Sequence, residues 1–164
     1  MPIIGGRFVM RSQLLTDESG ELPQSFEIHA DIIERLPVLV VDDEPDSRDF
    51  VAFVLKEAGA KVTAVGSASE ALQLLSTTPF DILLSDIGMP KMDGYALIRE
   101  IRKSRDDRGR NLPAIALTAY AGEYEQREAI VSGFQTHLAK PVDPAEIVTV
   151  VARMFEINSG CTLT

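Results

Sequence analysis

The sequence predicts an α/β protein: a doubly wound parallel sheet with helices packed on both faces. Three observations predict it. Short, continuous apolar runs recur from Val38 onward, the mark of strands buried on both faces. Segments with apolar residues at helical spacing alternate with these runs. The connections between them are short, so successive strands run parallel.

The elements follow in order. VLVV (38–41) is the first strand. The helix after it carries Phe50, Val51, Val54, Leu55 and Ala58 at helical spacing and stops at Gly59. KVTAV (61–65) is the second strand, and SASEALQLLS (67–76) the second helix, with Ser67 and Glu70 at capping-box spacing. FDILLS (80–85) is the third strand and GYALIREIRK (94–103) the third helix. The charged stretch SRDDRGRN (104–111) reads as a loop leading to the fourth strand, PAIALT (113–118). GEYEQREAIVSG (122–133) is a helix ending at Gly133, THLA (136–139) a short fifth strand, and PAEIVTVVARMF (144–155) the closing helix.

Composition bounds the function. Of 164 residues, 45% are hydrophobic and 25% charged, which suits one packed domain with an appendage. The net charge of −9 and the lack of a basic stripe argue against direct nucleic-acid binding. No apolar run approaches the roughly 18 residues that span a bilayer, and the N-terminus lacks a signal-peptide pattern, so no membrane insertion is expected. The single cysteine, Cys161, gives no disulfide framework and fits a reducing, cytoplasmic setting.

The domain is expected over 37–156, with 157–164 as a tail and 1–36 as an N-terminal extension or linker. DESGELPQS (17–25) is linker-like, and SFEIHADIIERL (25–36) places Ile28, Ile32, Ile33 and Leu36 on one helical face, with Ser25 as a candidate N-cap. That helix has three readings: packing on the domain, packing on a second copy, or an interdomain linker of a larger protein, which is slightly favoured.

Doubly wound sheets bind ligands outside the carboxyl ends of their strands. Here the first strand ends in Asp42 and Asp43, with Glu44 behind them; the third ends in Asp86, the fourth in Thr118, the fifth in Lys140. The second ends in Gly66 and carries nothing chemical. Two unit charges about 4 Å apart repel by roughly 4 kcal/mol at an effective dielectric of about 20. A hard divalent cation relieves such crowding, and an all-oxygen site with few protein ligands suits Mg²⁺, with Mn²⁺ as the alternative. Taken singly, each residue has a plainer account: acids at a helix N-terminus, a turn aspartate, a β-prone threonine, a solvated loop lysine. Four strand ends polar together are hard to ascribe to coincidence.

VLVVDDEPD, DILLSDIGMPKMDG, AIALTAYA and GFQTHLAKPVD, in this order and spacing, resemble the receiver domain of two-component response regulators over about Leu36 to Phe155. The resemblance implies a flavodoxin-like (βα)5 sheet of order 2-1-3-4-5. It implies that Asp86 is the phosphoacceptor, attacking a phosphohistidine on a sensor histidine kinase or a histidine phosphotransfer protein. Asp43 would bind Mg²⁺ directly, Asp42 largely through water, and the Gly88 carbonyl would add a ligand. Lys140 would pair with the phosphoryl group and Thr118 would hydrogen-bond it. A carboxylate is a weak nucleophile, so this transfer depends on positioning and charge neutralisation.

The resemblance also implies a switch in which Thr118 moves toward the phosphoryl group and an aromatic ring on the fifth strand follows. That position holds His137, where Tyr or Phe is commoner; it is either the switch ring or an ordinary half-buried strand residue. Gly88 and Tyr120 flank the path of a hydrolytic water, and Tyr120 is expected to set the phosphoryl lifetime. Only nine residues follow Phe155, so no output module is expected there, and a partner would read the state through the fourth and fifth helices and the strand between them. A homodimer is a further candidate assembly.

Three rival readings share some of these residues. A phosphatase of the haloacid-dehalogenase type wants Asp-x-Asp after its first strand, where this chain has Glu44, and an acidic pair after the lysine, where only Asp143 lies close. An unphosphorylated, receiver-like interaction module leaves the acidic cluster without a purpose. A P-loop nucleotidase is excluded by the lack of G-x-x-x-x-G-K-[ST].

Overall fold

The computed structural model describes residues 32–119 and 122–159. Its strands are β1 (Pro37–Val41), β2 (Lys61–Val65), β3 (Ile82–Asp86), β4 (Ala114–Thr118) and β5 (Thr136–Ala139). The helices between and after them are α1 (Pro45–Glu57), α2 (Ala68–Thr77), α3 (Gly94–Arg102), α4 (Glu123–Ser132) and α5 (Pro144–Ser159). All strand pairs are parallel, in the order β2-β1-β3-β4-β5. The flavodoxin-like expectation holds.

The period-2 alternation of side chains sorts the apolar residues into two cores. Val38 and Val40 of β1, Ile82 and Leu84 of β3, and Ile115 and Leu117 of β4 face α1 and α5, meeting Val54, Leu55, Val148 and Val151. Leu39, Val41, Leu83, Ala114 and Ala116 point the other way and meet Leu97, Ile98 and Ile101 of α3, with Ala71 of α2 and Ala129 of α4. Central strands buried on both faces explain the unbroken apolar runs. Full burial of one such side chain is worth about 1.5–3 kcal/mol.

Helix starts are set by side-chain caps. Ser67 accepts from the amide of Glu70 at 3.2 Å, and the Glu70 carboxylate reaches back to the amide of Gly66 at 3.3 Å. Asp93 accepts from the amide of Ala96 at 2.8 Å and starts α3. α1 begins instead with Pro45 in its first turn, where the missing N–H costs nothing.

Several boundaries differ from the sequence reading. The third strand is shifted to Ile82–Asp86, because Phe80 packs beneath the sheet and pairing with β1 begins at Ile82. The predicted loop 104–111 holds a one-turn helix, Asp107–Arg110, capped by Asp106. Two of its neighbouring carbonyls are held by Arg102, whose Nη1 donates to Gly109 and Arg110 at 3.2 Å each. The Arg102 Nε and Nη2 groups also donate to Gly133 at 3.0 and 2.7 Å, and Nη2 to Gln135 Oε1 at 3.2 Å, tying α3 to the end of α4. The core reaches back before β1: Ile33 is fully buried and Leu36 nearly so, beside α1 and α5. α5 runs to Ser159, into the stretch expected as a tail. The rest of the predicted helix 25–36, with Ser25, and Cys161 lie outside the described residues.

Candidate functional site

The sheet reverses its order between β1 and β3, and the site lies at that switch point. β1 delivers Asp42 and Asp43 just past Val41, β3 ends in Asp86, β4 ends in Thr118, and Lys140 follows β5. Backbone bonds fix their levels: Lys140 N–H donates to Thr118 O at 2.7 Å, and Asp42 N–H to Val65 O at 3.1 Å. A cis peptide joins Lys140 to Pro141.

Asp42 is fully buried, and both of its oxygens are engaged. Oδ1 accepts from the Glu44 amide at 3.0 Å and Oδ2 from Lys140 Nζ at 3.0 Å. The same ammonium stands 3.2 Å from Asp86 Oδ1. Arg48 donates to the Asp42 carbonyl at 3.0 Å, holding α1 against the end of β1. Asp42, Asp43 and Asp86 each bring a carboxylate oxygen within 4.8 Å of the others, a group able to hold a metal ion.

The charges act on one another. Burial holds the Asp86 carboxyl above its usual range; Lys140 opposes this, and the charges of Asp42 and Asp43 add to it. Burial pushes the Lys140 ammonium down, but its bond to Asp42 and the charge of Asp86 outweigh that and raise it overall. It stays protonated. Thr118 is 4% exposed, and its Oγ1 is buried with no hydrogen-bond partner among the described residues. A buried hydroxyl left so costs about 1–3 kcal/mol, and it marks a place for an acceptor.

The cleft over these groups has a volume of about 400 Å³. Asp86, Thr118, Lys140 and Asp43 line it, as do Gly88 and Ala119. Gly88 is exposed, and a Cβ there would meet nothing within 4 Å. Glu44, Tyr95 and Glu125 also line it, and the sequence reading gave them no role. Tyr95 and Glu125 stand in the first turns of the helices that follow Asp86 and Thr118, so the strand-end rule extended by one helical turn would have found them. His137 is half-buried and lines a separate groove beside α4 with Glu123, Arg127 and Ile130. Tyr120 lies outside the described residues.

The family model described as the response regulator receiver domain matches residues 38–152. The chain belongs to that family. This receiver is 47% identical over 119 residues to an uncharacterised 14.6 kDa protein of Leptolyngbya boryana, covering 73% of this chain and 89% of that one. It is 38% identical over 117 residues to the sensor histidine kinase GacS of Pseudomonas protegens, covering 71% of this chain and only 13% of the kinase. The receiver domain of the sensor histidine kinase PA1611 from Pseudomonas aeruginosa, solved with a magnesium ion coordinated in its active site cleft, superimposes with a TM-score of 0.66. It shares 32% identity with the receiver, over 72% of this chain and 95% of that one. The receiver is a signalling domain with a phosphoacceptor role in phosphorelay. Among the described residues, no helix is long and apolar enough to cross a membrane.

Proposed function

We propose that Asp86 is the residue phosphorylated in this receiver, and that the donor is phosphohistidine on a sensor histidine kinase or a histidine phosphotransfer protein. The observation that carries this reading is the pairing of Asp86 with Lys140 at 3.2 Å in the cleft that the Thr118 hydroxyl, unpartnered among the described residues, also lines. An Asp86 carboxylate oxygen attacks phosphorus, the P–N bond to the imidazole breaks, and its electron pair returns to the ring nitrogen. Lys140 stands against the developing charge on the transferring oxygens, and Thr118 Oγ1 donates to one of them.

Mg²⁺, with Mn²⁺ as the alternative, fits the donor set, which is hard oxygen throughout: Asp42, Asp43, Asp86 and the Gly88 carbonyl. When bound, the ion supplies the positive charge that lets an anionic phosphoryl group approach an anionic nucleophile. The PA1611 receiver domain was solved with a magnesium ion coordinated in its own active site cleft.

Phosphorylation adds about −1.5 to −2 charge and strong acceptor oxygens. Thr118 then turns to the phosphoryl group and His137 follows it, altering the α4–β5–α5 face. That face meets the downstream partner or a second copy of the chain. The setting is cytoplasmic.

The test is incubation with acetyl phosphate, with and without Mg²⁺, read by intact mass for the wild type and Asp86→Asn. A Mg²⁺-dependent gain of one phosphoryl group, absent from the variant, is expected. No adduct, with steady phosphate release from phosphoesters, would replace this reading with the phosphatase.

A further inference from the structure

Resting on the assignment of Asp86 as acceptor, we propose that Glu125 is a specificity-determining residue: a fixed negative charge at the cleft mouth that holds off free anionic phosphodonors and reserves Asp86 for a donor presented by a docked protein.

The cleft carries more negative than positive side chains among the described residues. Asp43, Glu44, Asp86 and Glu125 line it against one ammonium, Lys140, which is already paired with Asp42 and Asp86. Asp43 and Asp86 belong with Asp42 to the group able to share a cation; Glu44 and Glu125 stand outside it. Their charge therefore persists when the inner carboxylates are neutralised. Independently of these acids, the buried Thr118 hydroxyl, without a partner among the described residues, marks the same cleft as the seat of an acceptor-rich group. An incoming phosphoryl group thus shares the cleft with carboxylates that stand outside the cation-binding group.

Glu125 is held there by local structure. It is half-buried in the first turn of α4, and its carboxylate folds back over the helix start, where a Cβ on Gly122 would stand 2.6 Å from Oε2. The glycine at the N-cap leaves the room that the carboxylate occupies. Tyr95 stands in the first turn of α3 and lines the same cleft. Burial, then Glu128 and Glu125, hold its phenol above the usual range, so it stays neutral and adds no compensating charge.

The physical consequence depends on how the donor arrives. A free dianion must reach the cleft by diffusion, so a fixed negative charge at the mouth lowers its local concentration and its capture. A phosphohistidine carried on a protein is brought in by contacts over a whole interface, against which one rim charge counts little. Repulsion of this kind acts alike on the bound donor and on the transition state, so it raises the half-saturating donor concentration without changing the maximal rate. In the reaction with acetyl phosphate, an Asp86 oxygen forms the new P–O bond, the bond from phosphorus to the acetyl oxygen breaks, and acetate leaves with the electron pair.

The experiment measures initial phosphorylation rates of the full chain against donor concentration by intact mass, in saturating Mg²⁺, for the wild type, Glu125→Gln and Glu125→Asp. Acetyl phosphate is the dianionic donor, and phosphoramidate, with one net negative charge at neutral pH, is the second. Glu125→Gln should lower half-saturation for acetyl phosphate about fivefold at low salt with an unchanged maximal rate, and less for phosphoramidate. The gap should close as ionic strength rises to roughly 0.5 M. Glu125→Asp should keep most of the wild-type discrimination. Equal half-saturation in the wild type and Glu125→Gln at every salt concentration, or a change confined to the maximal rate, would overturn the gate. A wild type that takes up no phosphoryl group at saturating donor would overturn the acceptor assignment instead.

Discussion

Gly94 passes so close to Asp86 that a Cβ on it would stand 2.3 Å from the Asp86 carbonyl oxygen and 2.8 Å from Ile87 Cα. Its amide donates to Ile87 O at 2.8 Å, so the start of α3 is laced to the chain leaving β3. Both neighbours are backbone and cannot swing aside. Gly94→Ala should therefore cost about 1–3 kcal/mol and slow phosphoryl acceptance, because the peptide of Asp86, the proposed acceptor, must move. Urea melts of the two proteins check the first effect and acetyl phosphate uptake the second.

Thr118 carries a buried hydroxyl that has no hydrogen-bond partner among the described residues. Thr118→Val keeps the shape and removes the unsatisfied group. It should stabilise the unphosphorylated protein by about 1 kcal/mol, an unusual sign for a site residue. The same change should lessen the gain in stability that phosphorylation or a phosphoryl mimic gives the wild type. Paired urea melts with and without the mimic read both.

The Asp86 carboxyl is held above its ordinary value of 3.8 in the folded protein, first by burial. The folded state therefore binds that proton more tightly than the unfolded chain does. The associated stability is fully present below the unfolded value and is lost as pH rises through the folded one. In chelator, the wild type should gain stability relative to Asp86→Asn as pH falls from neutral toward 4, and lose it on the way back. Denaturant midpoints across that range supply the comparison; a flat difference would contradict the sign.

Arg102 holds five acceptor contacts with its guanidinium, to Gly109, Arg110, Gly133 and Gln135. Lysine cannot reproduce a planar fork of donors. Arg102→Lys should cost about 1–3 kcal/mol and speed amide exchange around 107–112 and at the end of α4, while leaving Mg²⁺ affinity unchanged.

Much of this was legible in the sequence because central strands buried on both faces cannot hide. VLVV and PAIALT read as strands, and the strand-end rule singled out Asp42, Asp43, Asp86, Thr118 and Lys140 before any packing was known. What escaped depends on tertiary contacts. α4 buries only Ala129 and Ser132, so its apolar pattern gave no face to orient, and the placement of Glu125 over the cleft could not be read. Arg102 looked like one more charge on a helix, yet burial lowers its pKa and carbonyls surround it. Ile33 stood on an apolar helical face with three readings, and only the packed structure selects among them, seating it in the α1 and α5 layer of the domain.

Lys140 and Asp42 are 98 residues apart, and their 3.0 Å contact is made only when the last strand has docked. A ribosome that has delivered β4 has delivered every carboxylate of the cluster and Thr118, but not the ammonium that steadies them. Until then the cleft is a set of mutually repelling acids. The contact thus ties the charge balance of the cleft to the C-terminal part of the domain: the acids are assembled first and neutralised last.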